Sequence, residues 1–190
     1  MEEFMHKTFF IIAATVALLS LSVGTTANAK NTKKKNFLVV KVNKSTNTVG
    51  ALKFSFSKIK NEKVKNKEVN YTDAEENMDD QDNLKKEYYR TTVYYELRNL
   101  GKEPVDLSYS LNSIIDDSGK DYSDDGSASG YGFDTLAGEK KLQPKTSKTG
   151  RFILISNHKI TITKPRINVG DEYSDDENEI ADGGIAAIAE

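Results

Sequence analysis

Cysteine and tryptophan are absent from this chain of 190 residues, which also holds only two histidines and three prolines. Without cysteine there is no disulfide framework, no thiolate zinc site and no thiol to carry a lipid anchor. Scarce histidine weakens the case for nucleophilic hydrolysis, because a triad needs a positioned base. Long apolar runs are also missing. The longest weakly polar to apolar run, Phe9 to Val23, falls short of the roughly twenty residues that cross a bilayer, so no membrane span is expected.

That stretch has another reading. Lys7 precedes it, and Ala27-Asn28-Ala29 follows with the small-x-small pattern of a cleavage site. Residues 1–29 therefore read as a secretory signal peptide, removed to leave Lys30 as the mature start. Glu2 and Glu3 sit in a region that should be positive, which points to Met5 as the true initiator. A cysteine-free exported chain fits a bacterial route better than a eukaryotic one, where oxidising conditions favour disulfides in small domains. The segment Ile185 to Glu190 resembles no sorting signal, so retention at an envelope would be loose and non-covalent. The expected location is secreted and extracellular.

Residues 30–190 suffice for one domain with tails. Their charge is uneven: Lys30 to Lys67 holds twelve lysines against the single acid Glu62, whereas Asp171 to Glu190 holds eight acids and no base. Residues 30–36 read as a lysine-rich linker. Phe37 to Val42 is β-branched, and Gly50 to Ser57 alternates with Leu52, Phe54 and Phe56 on one face. Ile59 falls out of phase, so the strand either ends near Lys58 or carries a bulge there. Residues 61–87 are polar and read as a long exposed insertion with room for a short helix near Asp73 to Leu84. Tyr88 to Asn99 alternates strongly, with Tyr89, Thr91, Val93, Tyr95 and Leu97 facing inward. Pro104 to Asn112 alternates as well, and the two segments predict an antiparallel hairpin. A short strand is expected at Tyr131 to Leu136, a central one at Arg151 to Ser156 and another at Lys159 to Thr163. About seven short strands with no convincing helix predict an all-β fold, an antiparallel β-sandwich over residues 37–168, followed by a disordered acidic tail at 169–190.

The order GALKFSFSKI, then Leu97 to Val105 (LRNLGKEPV), Ile115 to Tyr122 (IDDSGKDY), Leu142 to Ser147 (LQPKTS) and Gly150-Arg151-Phe152 is similar to one family. It resembles the telokin-like, immunoglobulin-like domain of unknown function found in secreted proteins and lipoproteins of Gram-positive bacteria. The resemblance spans roughly residues 37–168 and implies an immunoglobulin-like sandwich on the cell exterior. It brings no catalytic residues with it. The lipoprotein cysteine of such proteins has no counterpart here.

Candidate chemistry is thin. His158 sits at a turn, and Gly126-Ser127-Ala128-Ser129-Gly130 has alanine where a nucleophile elbow needs serine, so a weak hydrolase is only the enzyme-class competitor. Asp116, Asp117, Asp121, Asp124 and Asp125 put several hard oxygen ligands on one loop, which makes calcium the one ion the sequence admits. The spacing misses the helix-loop-helix pattern, because Gly132 stands where a bidentate glutamate belongs, and solvated turn aspartates are the competing account. No other cofactor is implied. The outward row Tyr88, Arg90, Tyr94 and Arg98 combines residue types enriched in binding hot spots, although pairing on an exposed sheet face explains it too. The expectation is a secreted, non-enzymatic interaction module whose partner is a protein or a cell-wall polymer, not nucleic acid. A calcium-binding or purely structural envelope protein is the alternative.

Overall fold

The computed structural model describes residues 37–139, 141–174 and 176–188. The signal peptide expected over residues 1–29 and the linker at 30–36 lie outside the described residues.

The fold is all-β and antiparallel. Strands β1 (Phe37–Val49), β2 (Leu52–Lys65), β3 (Glu87–Asn99), β7 (Ser147–Ser156) and β6 (Tyr131–Asp134) form a five-stranded sheet in the order β1-β2-β3-β7-β6. A four-stranded sheet has the order β11-β8-β4-β5, built from β4 (Leu111–Ile115), β5 (Asp121–Tyr122), β8 (Arg166–Val169) and β11 (Gly184–Ala187). Strands β9 (Glu172–Tyr173) and β10 (Glu179–Ala181) pair separately.

One core joins the two larger sheets. Leu52, Phe54, Phe56 and Ile59 of β2 and Val93, Tyr95 and Leu97 of β3 meet Ile114, Ile167 and Ala186 from the second sheet, all of them buried. This is the two-layer solution for a sheet with one apolar face, a β-sandwich. Ile59 returns to that face because a bulge at Ser57 shifts the β2–β3 register between Phe56 and Lys58.

Four expectations need correction. First, Tyr88 to Asn99 does not form a hairpin with Pro104 to Asn112. The second edge of β3 is taken by β7, in register from Tyr89–Ser156 to Arg98–Ser147. Strand β7 is apolar on both faces and suits a central position, whereas the chain after Asn99 crosses to the other sheet. Asn99 holds that crossing, its side-chain amide donating to the carbonyls of Glu103 (2.7 Å) and Leu142 (3.0 Å). Leu107–Ser110 forms a helical turn (α2) before β4 begins.

Second, the acidic segment 169–190 is not a disordered tail. It contributes β9, β10 and β11, and its Glu172 and Ala186 are fully buried. The Glu172 carboxylate accepts from the Ala51 amide at 2.9 and 3.1 Å, which clamps the β1–β2 turn. Burial pushes the Glu172 pKa up, against the pull of the Ala51 and Leu52 amides. The sandwich therefore extends to Ile188, well past residue 168.

Third, residues 61–87 are not simply exposed. Strand β2 runs on to Lys65, and the following segment carries a helical turn, Asp73–Glu76 (α1), with Ala74, Glu75, Met78 and Leu84 buried. Fourth, the Lys159 to Thr163 segment is irregular, although Ile160 and Ile162 still enter the core.

Candidate functional site

The outer face of the five-stranded sheet is divided in two. Residues 66–86 fold over its upper half and build a second, smaller core, in which Ala74, Met78 and Leu84 cover Val64, Tyr88 and Ile155. α1 is fixed by a capping box: the Thr72 amide donates to Glu75 at 2.8 Å, and the Thr72 hydroxyl bonds the same carboxylate oxygen.

Glu75 is fully buried and also accepts from the Tyr88 hydroxyl at 2.8 Å and from Arg90 Nη1 at 3.0 Å. Arg90 Nε reaches Glu62 at 3.0 Å, and its side chain is 12% exposed. Burial works against the Arg90 charge, yet Glu75 and Glu62 outweigh it and raise its pKa. Burial, then the bond to Glu75, likewise raises the Tyr88 pKa. Half of the expected binding row is thus internal. Tyr88 is fully buried and Arg90 largely so, and both are engaged by Glu75 beneath the insertion.

The other half stays open. Register places Lys41 opposite Lys58, Lys58 opposite Tyr94 and Tyr94 opposite Arg151, so one row crosses β1, β2, β3 and β7. Directly paired residues on neighbouring strands share a face, and strands lie about 4.8 Å apart, so this row spans roughly 14 Å. Lys58 Nζ lies 4.3 Å from the Tyr94 ring centroid. Lys41, Lys58 and Arg151 are exposed, and no carboxylate pairs with any of them among the described residues. A cleft of about 470 Å³ follows the row, lined by Ser57, Lys58, Tyr94, Thr135, Thr149 and Arg151. Arg98, also exposed, lies four residues further along β3, opposite Lys53. Alternation alone exposes Tyr94 and Arg98. Finding Lys41, Lys58 and Arg151 needed the cross-strand register, which no single strand contains.

The five loop aspartates do not converge. Asp116 Oδ1 accepts from the Ser118 amide (2.8 Å), the Ser118 hydroxyl (2.6 Å) and the Lys120 amide (3.0 Å), and Oδ2 accepts from the Tyr122 hydroxyl (3.0 Å). Burial raises its pKa, but these bonds outweigh burial and hold it below the usual range. Asp117 is engaged by Thr163 and Lys164 on the loop before β8, with the same outcome. Asp121, Asp124 and Asp125 are exposed, and Asp125 bonds the Ser123 hydroxyl. Among the described residues no three acidic or histidine side chains are grouped to hold a metal ion. His158 is exposed on the turn after β7, and Ala128 of the Gly-Ser-Ala-Ser-Gly segment is packed into the smaller core. Among the described residues no helix is long and apolar enough to cross a membrane.

No protein-family model matches the chain, and no curated protein matches it. Several solved structures are similar to it, among them the following two. One is a conserved hypothetical protein from Bacillus anthracis, at 16% identity and TM-score 0.42, with 82% of this chain and 99% of that one covered. The other is a functionally unknown protein from Listeria monocytogenes EGD-e, at 13% identity and TM-score 0.46, with 79% and 86% covered.

Proposed function

We propose that this chain is an immunoglobulin-like, non-enzymatic interaction module, exported by a Gram-positive bacterium, which holds an anionic partner on the open half of its outer sheet face. The observation that carries the reading is the row Lys41–Lys58–Tyr94–Arg151, three cations and an aromatic ring in cross-strand register, with no carboxylate in an ion pair with any of the three among the described residues. Like charges directly opposite each other cost stability, so the Lys41–Lys58 pair is a local expense that an anionic ligand would relieve. Arginine offers bidentate hydrogen bonds to phosphate or carboxylate groups, and the tyrosine hydroxyl can donate one more. The buried acids Glu75 and Glu172 are occupied by structural donors, which favours binding over acid/base chemistry.

The test is retention of the purified protein on isolated Gram-positive envelopes. Raising salt to about 0.5 M shortens the screening length to a few ångströms and is expected to release it. The double variant K58E/R151E is expected to abolish retention at low salt with an unchanged melting temperature. Retention that survives both treatments would refute the charged-face reading.

A further inference from the structure

The row through Lys58 and Arg151 is the first of three that cross β1, β2, β3 and β7 in register on the open half of the outer face. Two residues further along β3 the row is Ser45–Ser55–Glu96–Thr149, and two beyond that it is Thr48–Lys53–Arg98–Ser147. The middle row holds hydroxyls and one acid. The last row again sets two cations directly opposite each other, Lys53 and Arg98, and neither is in an ion pair among the described residues. At about 3.3 Å per residue, the four residues from Tyr94 to Arg98 put roughly 13 Å between the two cationic rows. Strand β2 covers the same span in five residues, Lys58 to Lys53, because the Ser57 bulge takes up the extra one.

The surface between the cationic rows is concave. A cleft of about 460 Å³, lined by Ser45, Ser55, Ser57, Glu96 and Thr149, shares Ser57 and Thr149 with the 470 Å³ cleft of the first row. The two differ in chemistry: the first offers the donors of Lys58 and Arg151, the second hydroxyls and a carboxylate. The Ser45 and Ser55 hydroxyls bond each other at 2.8 Å. Glu96 is exposed and, among the described residues, in no ion pair, although a cationic row lies on each side of it. A single phosphate or carboxylate reaches only one row, and a train of closely spaced negative charges lays one of them on Glu96. Negative groups held apart by uncharged, hydroxyl-bearing units avoid both faults, because the hydroxyls donate to Glu96 while the charges meet the two rows.

We infer that the anionic partner is an acidic polysaccharide whose negative groups alternate with uncharged sugar units, lying along β2 and β3 from the Lys58–Arg151 row to the Lys53–Arg98 row with its hydroxyls on Glu96. This rests on the charged-face reading and narrows it. Glu96 selects spaced charge over dense charge, and Lys53 and Arg98 set the minimum length of the ligand. An acidic protein segment meets the cations equally well but brings few hydroxyls to the middle row.

The experiment measures binding of end-labelled hyaluronan oligosaccharides of increasing length to the full chain at low salt, beside inorganic polyphosphate and polyglutamate. Hyaluronan carries one carboxylate per disaccharide, whereas polyphosphate is charged at every unit and has no internal hydroxyl. Hyaluronan is expected to bind more tightly than polyphosphate, with a step in affinity once the oligosaccharide spans both rows. Arg98→Ala is expected to remove that step, about fivefold to tenfold, and to leave the shortest oligosaccharide unaffected. Glu96→Ala is expected to weaken hyaluronan about fivefold and to tighten polyphosphate, since the lost hydrogen bond acts at contact while the relieved repulsion is screened by solvent when the charges are spaced. Polyphosphate binding that K58E/R151E abolishes, with no length step for hyaluronan or with hyaluronan tightened by Glu96→Ala, would overturn this inference and leave the charged-face reading standing. Polyglutamate binding more tightly than hyaluronan would overturn it in favour of an acidic protein. Absence of binding to all three would overturn both.

Discussion

Replacing Asp134 with asparagine is expected to change the sign of its effect with pH. Asp134 lies on β6 with its carboxyl inside the sandwich, 6% exposed. Oδ1 accepts from the Tyr95 hydroxyl at 2.5 Å and the Leu136 amide at 2.7 Å, while Oδ2 is buried without a partner. Burial dominates and pushes the pKa up to about 7, although both hydrogen bonds pull it down. In the unfolded chain the same group titrates near 3.8. Between those values the native protein keeps a proton that the unfolded chain has released, so stability falls as pH rises through the window and levels off above about 7. Three units at about 1.4 kcal/mol each set the total near 4 kcal/mol, as an order of magnitude.

Asparagine does not titrate in this range. Its carbonyl can keep the Tyr95 and Leu136 bonds, but its amide places an N–H where Oδ2 was, at a cost of about 1–3 kcal/mol if that donor stays unpaired. At pH 8 the variant should therefore be the more stable protein by about 1–3 kcal/mol, and near pH 4.5 the less stable one. Glu62, Asp116 and Asp117, whose pKa values are lowered, tilt the parent's profile the other way at acid pH. They do so in both proteins, and the difference between the two isolates Asp134 as far as sites are additive. Urea unfolding followed by far-ultraviolet circular dichroism, from pH 4.5 to 8, reads this directly. A constant offset at every pH, or a variant that is weaker at pH 8, would refute the assignment of a proton to Asp134.

Other outcomes follow from named contacts. Arg90→Met strands the buried Glu75 carboxylate and should cost about 3–5 kcal/mol, whereas a loss below about 1 kcal/mol in urea unfolding would mean that the insertion does not seal this pair. Gly50 has φ +52°, and a Cβ there would clash with Glu172 Oε1, so Gly50→Ala should lower the melting temperature by several degrees. An unchanged melting temperature would remove Glu172 as the clamp on the β1–β2 turn. Asp116 and Asp117 already serve as turn acceptors, so millimolar calcium should leave the melting temperature where it is, and a clear rise would establish a cation site in this loop.

What the sequence shows and what it hides divide along a physical line. Period-two alternation exposes β2 and β3, and the phase slip at Ile59 is the Ser57 bulge, because each strand carries its own burial pattern. Partner choice is not local. Pro104 to Asn112 alternates convincingly, yet the doubly apolar Arg151 to Ser156 run has the stronger claim to the centre of the sheet and takes the β3 edge. The tail misleads through composition, since its many acids suggest a solvated segment whereas Glu172 and Ala186 are fully buried. Sparse apolar residues also hide the insertion: Ala74, Met78 and Leu84 are too few to read as a core until Val64 and Tyr88 are beneath them.

Coverage by the insertion is what separates two otherwise similar arginines. Arg90 and Arg151 are the same residue type on the same outer face, and they differ only in what lies above them. Arg90 sits where residues 66–86 bring Glu75 down to it, so its charge is spent on the fold. Arg151 sits beyond the reach of that insertion, beside Tyr94 and across from Lys58 and Lys41, and no acid of the described chain comes to meet it. A protein under selection for stability alone gains nothing by opposing Lys41 to Lys58, because changing either to threonine would remove the repulsion and suit a strand better. Cations neutralised on one half of the face and left opposed on the other are the contrast on which the proposal of an anionic partner rests.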